Sequence, residues 1–182
     1  MSGLSVISGP TAVGKGTVVR YLLEHFPETH LSVSATTRKP RPGEQDGVDY
    51  FFLTKDEFQL LIDTDQMLEY AIVHGENFYG TPRQPVEAAI SAGKLVILEI
   101  DVQGARQVKV AKPETKTIFI APPTWEELVA RLRGRGTETE AEQAKRLETA
   151  EQELATQSEF DFVVVNDEVA RCAHEVLELM KS

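Results

Sequence analysis

The chain has 182 residues, of which 41% are hydrophobic and 26% charged, and its formal net charge is −10 at pH 7. This length suits one domain with a substantial core. No apolar run reaches the roughly 18 residues that span a membrane, and a single cysteine excludes an internal disulfide framework. The acidic balance argues against nonspecific nucleic-acid binding, so anionic ligands would need local basic clusters. The first residues, Met1 to Val6, lack the features of a signal peptide, and we expect a cytoplasmic protein.

The strand candidates are short runs rich in Val, Ile and Leu. In chain order they are Leu4–Ser8, the weaker Leu31–Ser34, Leu95–Ile100, Thr117–Ala121 and Phe162–Val165. Such runs suit strands that are buried on both faces of a parallel sheet. With helical segments between them, they predict a doubly wound α/β fold around a parallel sheet of five strands.

Helix starts are indicated by a Thr followed three residues later by a Glu, the capping-box pattern. It occurs at Thr54 with Glu57, at Thr124 with Glu127 and at Thr139 with Glu142. The last helix carries Val169, Cys172, Val176, Leu177 and Met180 along one face, so Cys172 is predicted to be a core thiol. Residues 35–84 and 134–146 are turn-rich or polar and are predicted to be insertions on the core.

The strongest chemical motif follows the first predicted strand and leads into the helical stretch Thr17–His25. Its residues are Gly9, Pro10, Thr11, Ala12, Val13, Gly14, Lys15, Gly16 and Thr17. Glycines let the backbone N–H groups turn toward phosphate oxygens, and Lys15 would reach the terminal phosphates of a nucleotide. The strict pattern has Ser or Thr where Gly16 stands, so Thr17 is the candidate hydroxyl near phosphate or Mg²⁺. The alternative interpretation is a glycine-rich turn with an exposed lysine.

A second basic cluster lies in the turn that follows the Leu31–Ser34 run. Arg38 and Arg41 are stiffened by Pro40 and Pro42, and they would form a rigid fork for another phosphate. Tyr50 would add a hydroxyl donor to the same group. The alternative is a solvated basic loop.

Four segments together resemble the guanylate kinases in order and in spacing, over residues 4 to 180. They are Gly9–Thr17, Ser34–Glu44, Gly75–Thr81 and Arg131–Glu140. The resemblance implies transfer of the γ-phosphoryl group of ATP to GMP, with Mg²⁺ as cofactor, in purine nucleotide metabolism. It also implies one domain over residues 1–182 with a phosphate-loop core (1–33, 93–123 and 158–182), a GMP-binding insertion (34–92) and a lid (124–157).

The same resemblance assigns a GMP site made of Ser34, Arg38, Arg41, Tyr50, Glu69, Tyr79, Thr81 and Asp101. The arginines and tyrosines would hold the phosphate, while Ser34, Glu69 and Thr81 would read the base. Guanine presents N1–H and its 2-amino group side by side, so one carboxylate can accept both hydrogen bonds. Adenine would leave that carboxylate unpaired. Taken from the sequence alone, Glu69 would be an exposed strand position.

Catalysis is assigned by resemblance to Lys15, Arg131, Arg135 and Arg146, the arginines closing over the transferring phosphates. Asn166 would contact the adenine of ATP. No direct metal ligand is assigned, although Thr17 and Asp101 are candidates for Mg²⁺ contacts, partly through water. The alternative for Asp101 is a cap of the helix that begins near Val102.

Three rival functions fit parts of this pattern. A guanylate-kinase-like binding module would typically lack phosphate-loop or substrate residues, whereas Lys15, Arg38 and Glu69 are present. A kinase of another small acceptor would lack the guanine-reading set, and a GTPase would carry an Asn-Lys-x-Asp motif. The expected partners are ATP and GMP rather than a nucleic acid or a membrane. The sequence does not distinguish a monomer from a homo-oligomer.

Overall fold

The computed structural model describes residues 3–73, 75–134 and 140–182. The strands are β1 (Leu4–Ser8), β2 (Thr29–Leu31), β3 (Ala35–Thr36), β4 (Phe51–Phe52), β5 (Met67–Val73), β6 (Asn77–Pro82), β7 (Leu95–Glu99), β8 (Lys116–Ala121) and β9 (Phe162–Val165). The helices are α1 (Lys15–His25), α2 (Lys55–Asp63), α3 (Arg83–Ser91), α4 (Val102–Ala111), α5 (Trp125–Arg133), α6 (Glu140–Ala155) and α7 (Val169–Lys181).

A parallel sheet of five strands, in the order β2-β7-β1-β8-β9, forms the centre of the protein. In this sheet Val6 on β1 is paired with Leu98 on β7 and with Thr117 on β8. The prediction of a parallel five-stranded sheet is confirmed. Because the strands are parallel, the residues that follow β1 and β7 meet at one edge, where ligands bind in such folds.

The fifth strand of the parallel sheet begins two residues earlier than the sequence predicts. Leu31–Ser34 was predicted, but β2 covers Thr29–Leu31 and pairs with Leu95 to Ile97 of β7. Thr29 is buried, and its hydroxyl donates to the carbonyl oxygens of Leu22 (3.2 Å) and Phe26 (2.7 Å). This polar anchor to the end of α1 sets where the strand starts, and a search for apolar runs does not detect it.

The helix starts follow the predicted caps in two of the three places. At α2, Thr54 and Glu57 form both arms of the capping box. At α5, the Thr124 hydroxyl accepts the N–H of Glu127 at 3.1 Å, while the Glu127 carboxylate lies 3.4 Å from the Arg131 guanidinium. At α5 the hydrogen bond of the cap runs from the Glu127 N–H to the Thr124 side chain. Thr139 lies outside the described residues.

The core is split by the parallel sheet into two clusters, since alternate side chains of β1 and β7 point to opposite faces. One cluster joins Ile7 and Ile97 with α1 and α7, including Val18, Leu22, Cys172, Val176 and Leu177. The other joins Leu4, Val6, Val96 and Leu98 with Val86 of α3 and Val108 of α4. Helices therefore cover both faces, which confirms the doubly wound fold. Cys172 is fully buried, as predicted, and burial raises the pKa of its thiol to about 11.

A smaller sheet, in the order β4-β3-β6-β5, is built from residues 35–82. Strands β5 and β6 are antiparallel and pair Glu69 with Thr81 and Tyr70 with Gly80. Phe58 of α2 packs beneath the sheet against Ala35 and Met67. This sheet falls within the predicted insertion 34–92, whose boundaries remain a prediction. In the described parts of the chain, no helix combines the length and the apolar character needed to cross a membrane.

Candidate active site

The loop between β1 and α1 needs glycine at two positions, Gly9 and Gly14. Gly9 has a φ of 145°, and a Cβ there would lie 2.3 Å from the carbonyl oxygen of Ile120. Gly14 caps α1 with a φ of 95°, and a Cβ there would lie 2.7 Å from the Asn166 amide nitrogen. Because a glycine cap has no side chain, no cap side chain competes with an anion for the first turn of α1, where the Thr17 N–H bonds to the Gly14 carbonyl oxygen at 3.0 Å.

Asn166 and Arg131 fasten this loop to the rest of the core through the carbonyl oxygen of Val13, and they are also bonded to each other. The buried Asn166 side chain donates to the carbonyl oxygen of Val13 at 2.8 Å. Arg131, near the end of α5, donates to the same oxygen at 3.2 Å and to the carbonyl oxygen of Asn166 at 3.1 Å. Both residues were predicted to lie near ATP, and the structure brings both to the phosphate loop.

Lys15 lies over the loop, and its ammonium donates to the carbonyl oxygen of Gly9 and, at 3.4 Å, to that of Pro10. Burial lowers the pKa of Lys15, and the carboxylates of Glu153, Glu99 and Asp101 oppose this shift. The lysine is thus surrounded by acidic side chains at the carboxyl edge of the parallel sheet. Thr17 lies in the first turn of α1 and is exposed.

Each of these carboxylates comes from a different element. Glu99 ends β7, and its carboxylate lies beside Gly16, where a Cβ would be 3.6 Å from its nearer oxygen. Asp101 caps α4 by accepting the Gly104 N–H at 2.7 Å, so the cap interpretation is confirmed for one of its oxygens. Glu153 of α6 accepts the N–H of Thr11 at 3.2 Å. Burial raises the pKa of Glu99 and of Glu153, while the Lys15 charge lowers both.

A cavity of about 220 Å³ lies between the two sheets. It is lined by the predicted residues Ser34, Tyr50, Glu69, Tyr79 and Asp101, together with Glu99 and Gly80 among others. Glu69 is 8% exposed, and the Thr81 hydroxyl donates to its carboxylate at 2.6 Å. Burial raises the pKa of Glu69 and Asp101 raises it further, while the bond from Thr81 lowers it. Glu69 is therefore a buried carboxylate with one oxygen engaged, which excludes the exposed strand position.

The Arg38 guanidinium lies over the ring of Tyr50, which lines this cavity, with its central carbon 5.5 Å from the ring centre. The rings of Tyr50 and Tyr79 are 6.0 Å apart. Arg38 also forms an ion pair with Glu44 at 2.8 Å, and this pair together with Tyr79 raises the pKa of Arg38. Arg41 is exposed, and its backbone N–H donates to Glu44 at 2.7 Å.

Two of the predicted catalytic arginines remain, Arg135 and Arg146. Arg146 lies on α6 beside a cavity of about 330 Å³ that Glu142, Lys145 and Thr149 also line. Arg135 lies outside the described residues.

Sequence reasoning missed two partners of the predicted site, Glu44 and Glu153. A signal for Glu44 exists, because it follows Arg41 by three residues in the same rigid turn. Glu153 meets Thr11 across 142 positions of sequence, and no local pattern predicts such a contact.

Comparison with known proteins gives a consistent result. The family model described as "Guanylate kinase" matches residues 1–182. A guanylate kinase of Leifsonia xyli is 59% identical over 97% of this chain and 70% of its own length, and one of Cutibacterium acnes is 56% identical over 97% and 89%. The crystal structure of guanylate kinase from Anaplasma phagocytophilum superposes with a TM-score of 0.72 at 34% identity, covering 98% of this chain and 84% of that one.

Proposed function

Because the chain belongs to the guanylate kinase family and transfers the γ-phosphoryl group of ATP to GMP, we propose that GMP binds in the cavity at Glu69 and ATP on the loop at Lys15. The observation that carries this proposal is the cavity itself, which gathers Ser34, Tyr50 and Glu69 from separate segments of the insertion. It opens at the carboxyl edge of the parallel sheet, where Asp101 also lines it.

Glu69 would read the guanine base. One oxygen of its carboxylate accepts a hydrogen bond from Thr81. The two carboxylate oxygens still have lone pairs that match the N1–H and 2-amino donors of guanine. Burial supports this role, because an adenine base would leave a desolvated carboxylate without a partner. Sites of this kind reject analogues that lack the donor by as much as about 10⁴-fold. Ser34, which lines the same cavity, would contribute a hydroxyl to the base.

The GMP phosphate would be held by Arg38 and Arg41 with the hydroxyls of Tyr50 and Tyr79. The ring contact of Arg38 with Tyr50 supports a common binding site. Guanidinium groups bind phosphate oxygens in pairs, so this cluster would fix the direction from which the nucleophilic oxygen approaches.

On the other side, the N–H groups of the loop and Lys15 would hold the ATP phosphates, with Asn166 beside the adenine. Arg131, Arg135 and Arg146 would neutralise the charge of the transferring group. The bond from Arg131 to the Val13 carbonyl oxygen of the loop supports its part in this set. GMP phosphate is already an anionic nucleophile, so the chain needs no general base, and positioning with electrostatics supplies the catalysis.

Mg²⁺ would accompany ATP and neutralise charge on its phosphates. Within the described residues, no group of three or more His, Cys, Asp or Glu side chains is arranged to hold a metal ion. Asp101 has one oxygen outside the helix cap, and Thr17 is exposed beside the loop. This donor set fits an ion that is held chiefly by phosphates and water, with at most one or two protein contacts.

The domain arrangement belongs to the same proposal. Residues 34–92 would carry GMP and residues 124–157 would close over ATP, on a core of 1–33, 93–123 and 158–182. We place the reaction in the cytoplasm, without a nucleic-acid or membrane partner, and the single buried thiol agrees with a reducing compartment.

The test is release of ADP from ATP and Mg²⁺ with GMP, AMP, CMP or UMP as acceptor. Rapid release with GMP alone is expected. Equal rates with AMP would contradict guanine reading by Glu69, and activity with none of the four by a folded protein would favour a binding module.

A further inference from the structure

The strand that carries Glu69 is an edge strand. Among the described strands of the smaller sheet, β5 pairs with β6 alone, and its other side faces helix α4 of the core. In an antiparallel pair, alternate residues direct both main-chain groups outward, away from the partner strand. Tyr70, which directly follows Glu69, is such a residue.

One side chain takes up both of these groups. The Gln107 side chain of α4 accepts the Tyr70 N–H at 3.1 Å and donates its amide N–H to the Tyr70 carbonyl oxygen at 3.0 Å. A primary amide matches a peptide group in donor and acceptor, so Gln107 bonds to β5 as a neighbouring strand would. These two hydrogen bonds join the GMP-side sheet to the core helix.

The same helix also shapes the space around the Glu69 carboxylate. A Cβ on Gly104 would lie 3.1 Å from the second carboxylate oxygen of Glu69, so the helix surface closely approaches that oxygen. Gly104 is itself held by the Asp101 cap at 2.7 Å. Helix α4 therefore contacts β5 at the side chain of residue 69 and at the backbone of residue 70.

From this geometry we propose that Gln107 is a positioning residue that sets guanine selectivity by holding the backbone of β5 in place beside Glu69. The proposal rests on the base-reading role of Glu69. A carboxylate that must accept two hydrogen bonds from a planar base tolerates little displacement, since misplacement by about 1 Å can lower a rate up to about 10²-fold. Holding the strand next to the carboxylate limits that displacement.

The effect should appear in GMP binding more than in stability. Tyr70 is 39% exposed, so water can replace the lost amide, and the fold should tolerate the change. We expect Gln107→Ala to raise KM for GMP about tenfold through the looser strand. KM for ATP should stay within about twofold, because the two hydrogen bonds of the Gln107 side chain go to Tyr70 on the GMP side.

Two Gln107 variants and two reference variants make the test. Gln107→Glu keeps the size of the side chain but sets a carboxylate against the Tyr70 carbonyl, so it should match Gln107→Ala if hydrogen bonding matters. Gln59→Ala is the control, since it removes an exposed glutamine of α2 that bonds to Asp63. Steady-state constants for GMP, AMP and ATP, GMP dissociation constants by calorimetry and melting temperatures are measured for each.

Raised KM and Kd for GMP in both Gln107 variants, with a lower preference for GMP over AMP and wild-type ATP constants, would support the proposal. Unchanged GMP constants, equal changes in both substrates, or a normal Gln107→Glu variant would overturn it. Glu69→Gln, measured in parallel, separates failure of the base-reading role of Glu69 from failure of the positioning role of Gln107. If Glu69→Gln loses guanine selectivity while the Gln107 variants keep it, the positioning role is wrong and the base-reading role stands.

Discussion

Replacing Glu69 by Gln should weaken GMP use while it stabilises the protein, and these opposite effects follow from one buried carboxylate. The Thr81 hydroxyl holds one side-chain oxygen at 2.6 Å, so the oxygen of the new amide should stay with Thr81. The amide NH₂ would then face the donors of guanine. One hydrogen bond to a charged acceptor, worth about 1.5–3 kcal/mol, would be replaced by a contact between two donors, and the other bond would lose its charge assistance. We expect kcat/KM for GMP to fall at least about 10²-fold.

The stabilisation comes from desolvation. Burial raises the pKa of Glu69, so the ionised form is disfavoured in the native state, whereas a neutral amide of the same shape has no such penalty. The hydrogen bond from Thr81 is kept. We expect the variant to gain about 1–2 kcal/mol at neutral pH, or about 2–8 °C in melting temperature for a chain of this size.

The gain should depend on pH with a defined sign. Because the native pKa is raised, the native protein binds this proton more tightly than the unfolded chain does. The penalty of ionised Glu69 is full above its native pKa and disappears below the unfolded value of about 4.3. The advantage of Glu69→Gln should therefore be largest at pH 8 and shrink as the pH falls.

Calorimetric melting from pH 8 down to pH 4, a range that crosses the unfolded value of about 4.3, checks the stability effect, and steady-state rates for GMP and AMP check the effect on base reading. Glu24→Gln is the control, since it removes an exposed carboxylate on α1. A melting temperature at or below that of the wild type at pH 8, or a difference that does not change with pH, would refute the desolvation argument. An unchanged preference for GMP over AMP would refute base reading.

Two further predictions concern the phosphate loop. Lys15→Ala should lower kcat about 10²–10³-fold, because the lysine charge would follow the transferring group. Calorimetry should find the Kd for GMP changed less than about threefold. Equal losses for both substrates would contradict this division of roles. Gly14→Ala combines a φ of 95° with a contact of 2.7 Å to Asn166, so it should lower both the melting temperature and ATP affinity. Gly93→Ala is the matched control, because its φ is 79° and nothing lies within 4 Å of the added Cβ; a similar loss of ATP affinity there would show that backbone strain alone is responsible.

The parts of the fold that could be predicted depend on local chemistry. Leu4–Ser8 is buried on both faces and reads as an uninterrupted apolar run, so its place in a parallel sheet follows from composition. The cap at Thr54 depends on a glutamate three residues away, so a local sequence pattern is enough to predict it. By contrast, β2 begins at Thr29 because a hydroxyl bonds back to α1, and a hydroxyl does not stand out as a strand signal.

In the site, too, features set by neighbouring residues could be predicted, and features set by distant contacts could not. The phosphate loop could be predicted because its glycines, lysine and helix start are contiguous. The burial of Glu69 could not, because it depends on the approach of α4, and Gly104 reaches the carboxylate only once the two sheets are assembled. Gln107 gave no sequence signal at all, since a glutamine on a helix is ordinary until an edge strand lies beside it.

Both proposed phosphate sites are paired with carboxylates of the chain itself. Glu44 bonds to the Arg38 guanidinium at 2.8 Å, and Glu153 bonds to the Thr11 N–H at 3.2 Å. If the phosphates bind as proposed, each donor exchanges a carboxylate for a phosphate. The net gain in binding free energy is then a difference between two charge-assisted hydrogen bonds of about 1.5–3 kcal/mol each. The carboxylates hold the donors in position beforehand, which lowers the entropy lost on binding. They also return to the donors as a product departs, so the same contacts that limit affinity should speed the release of GDP and ADP.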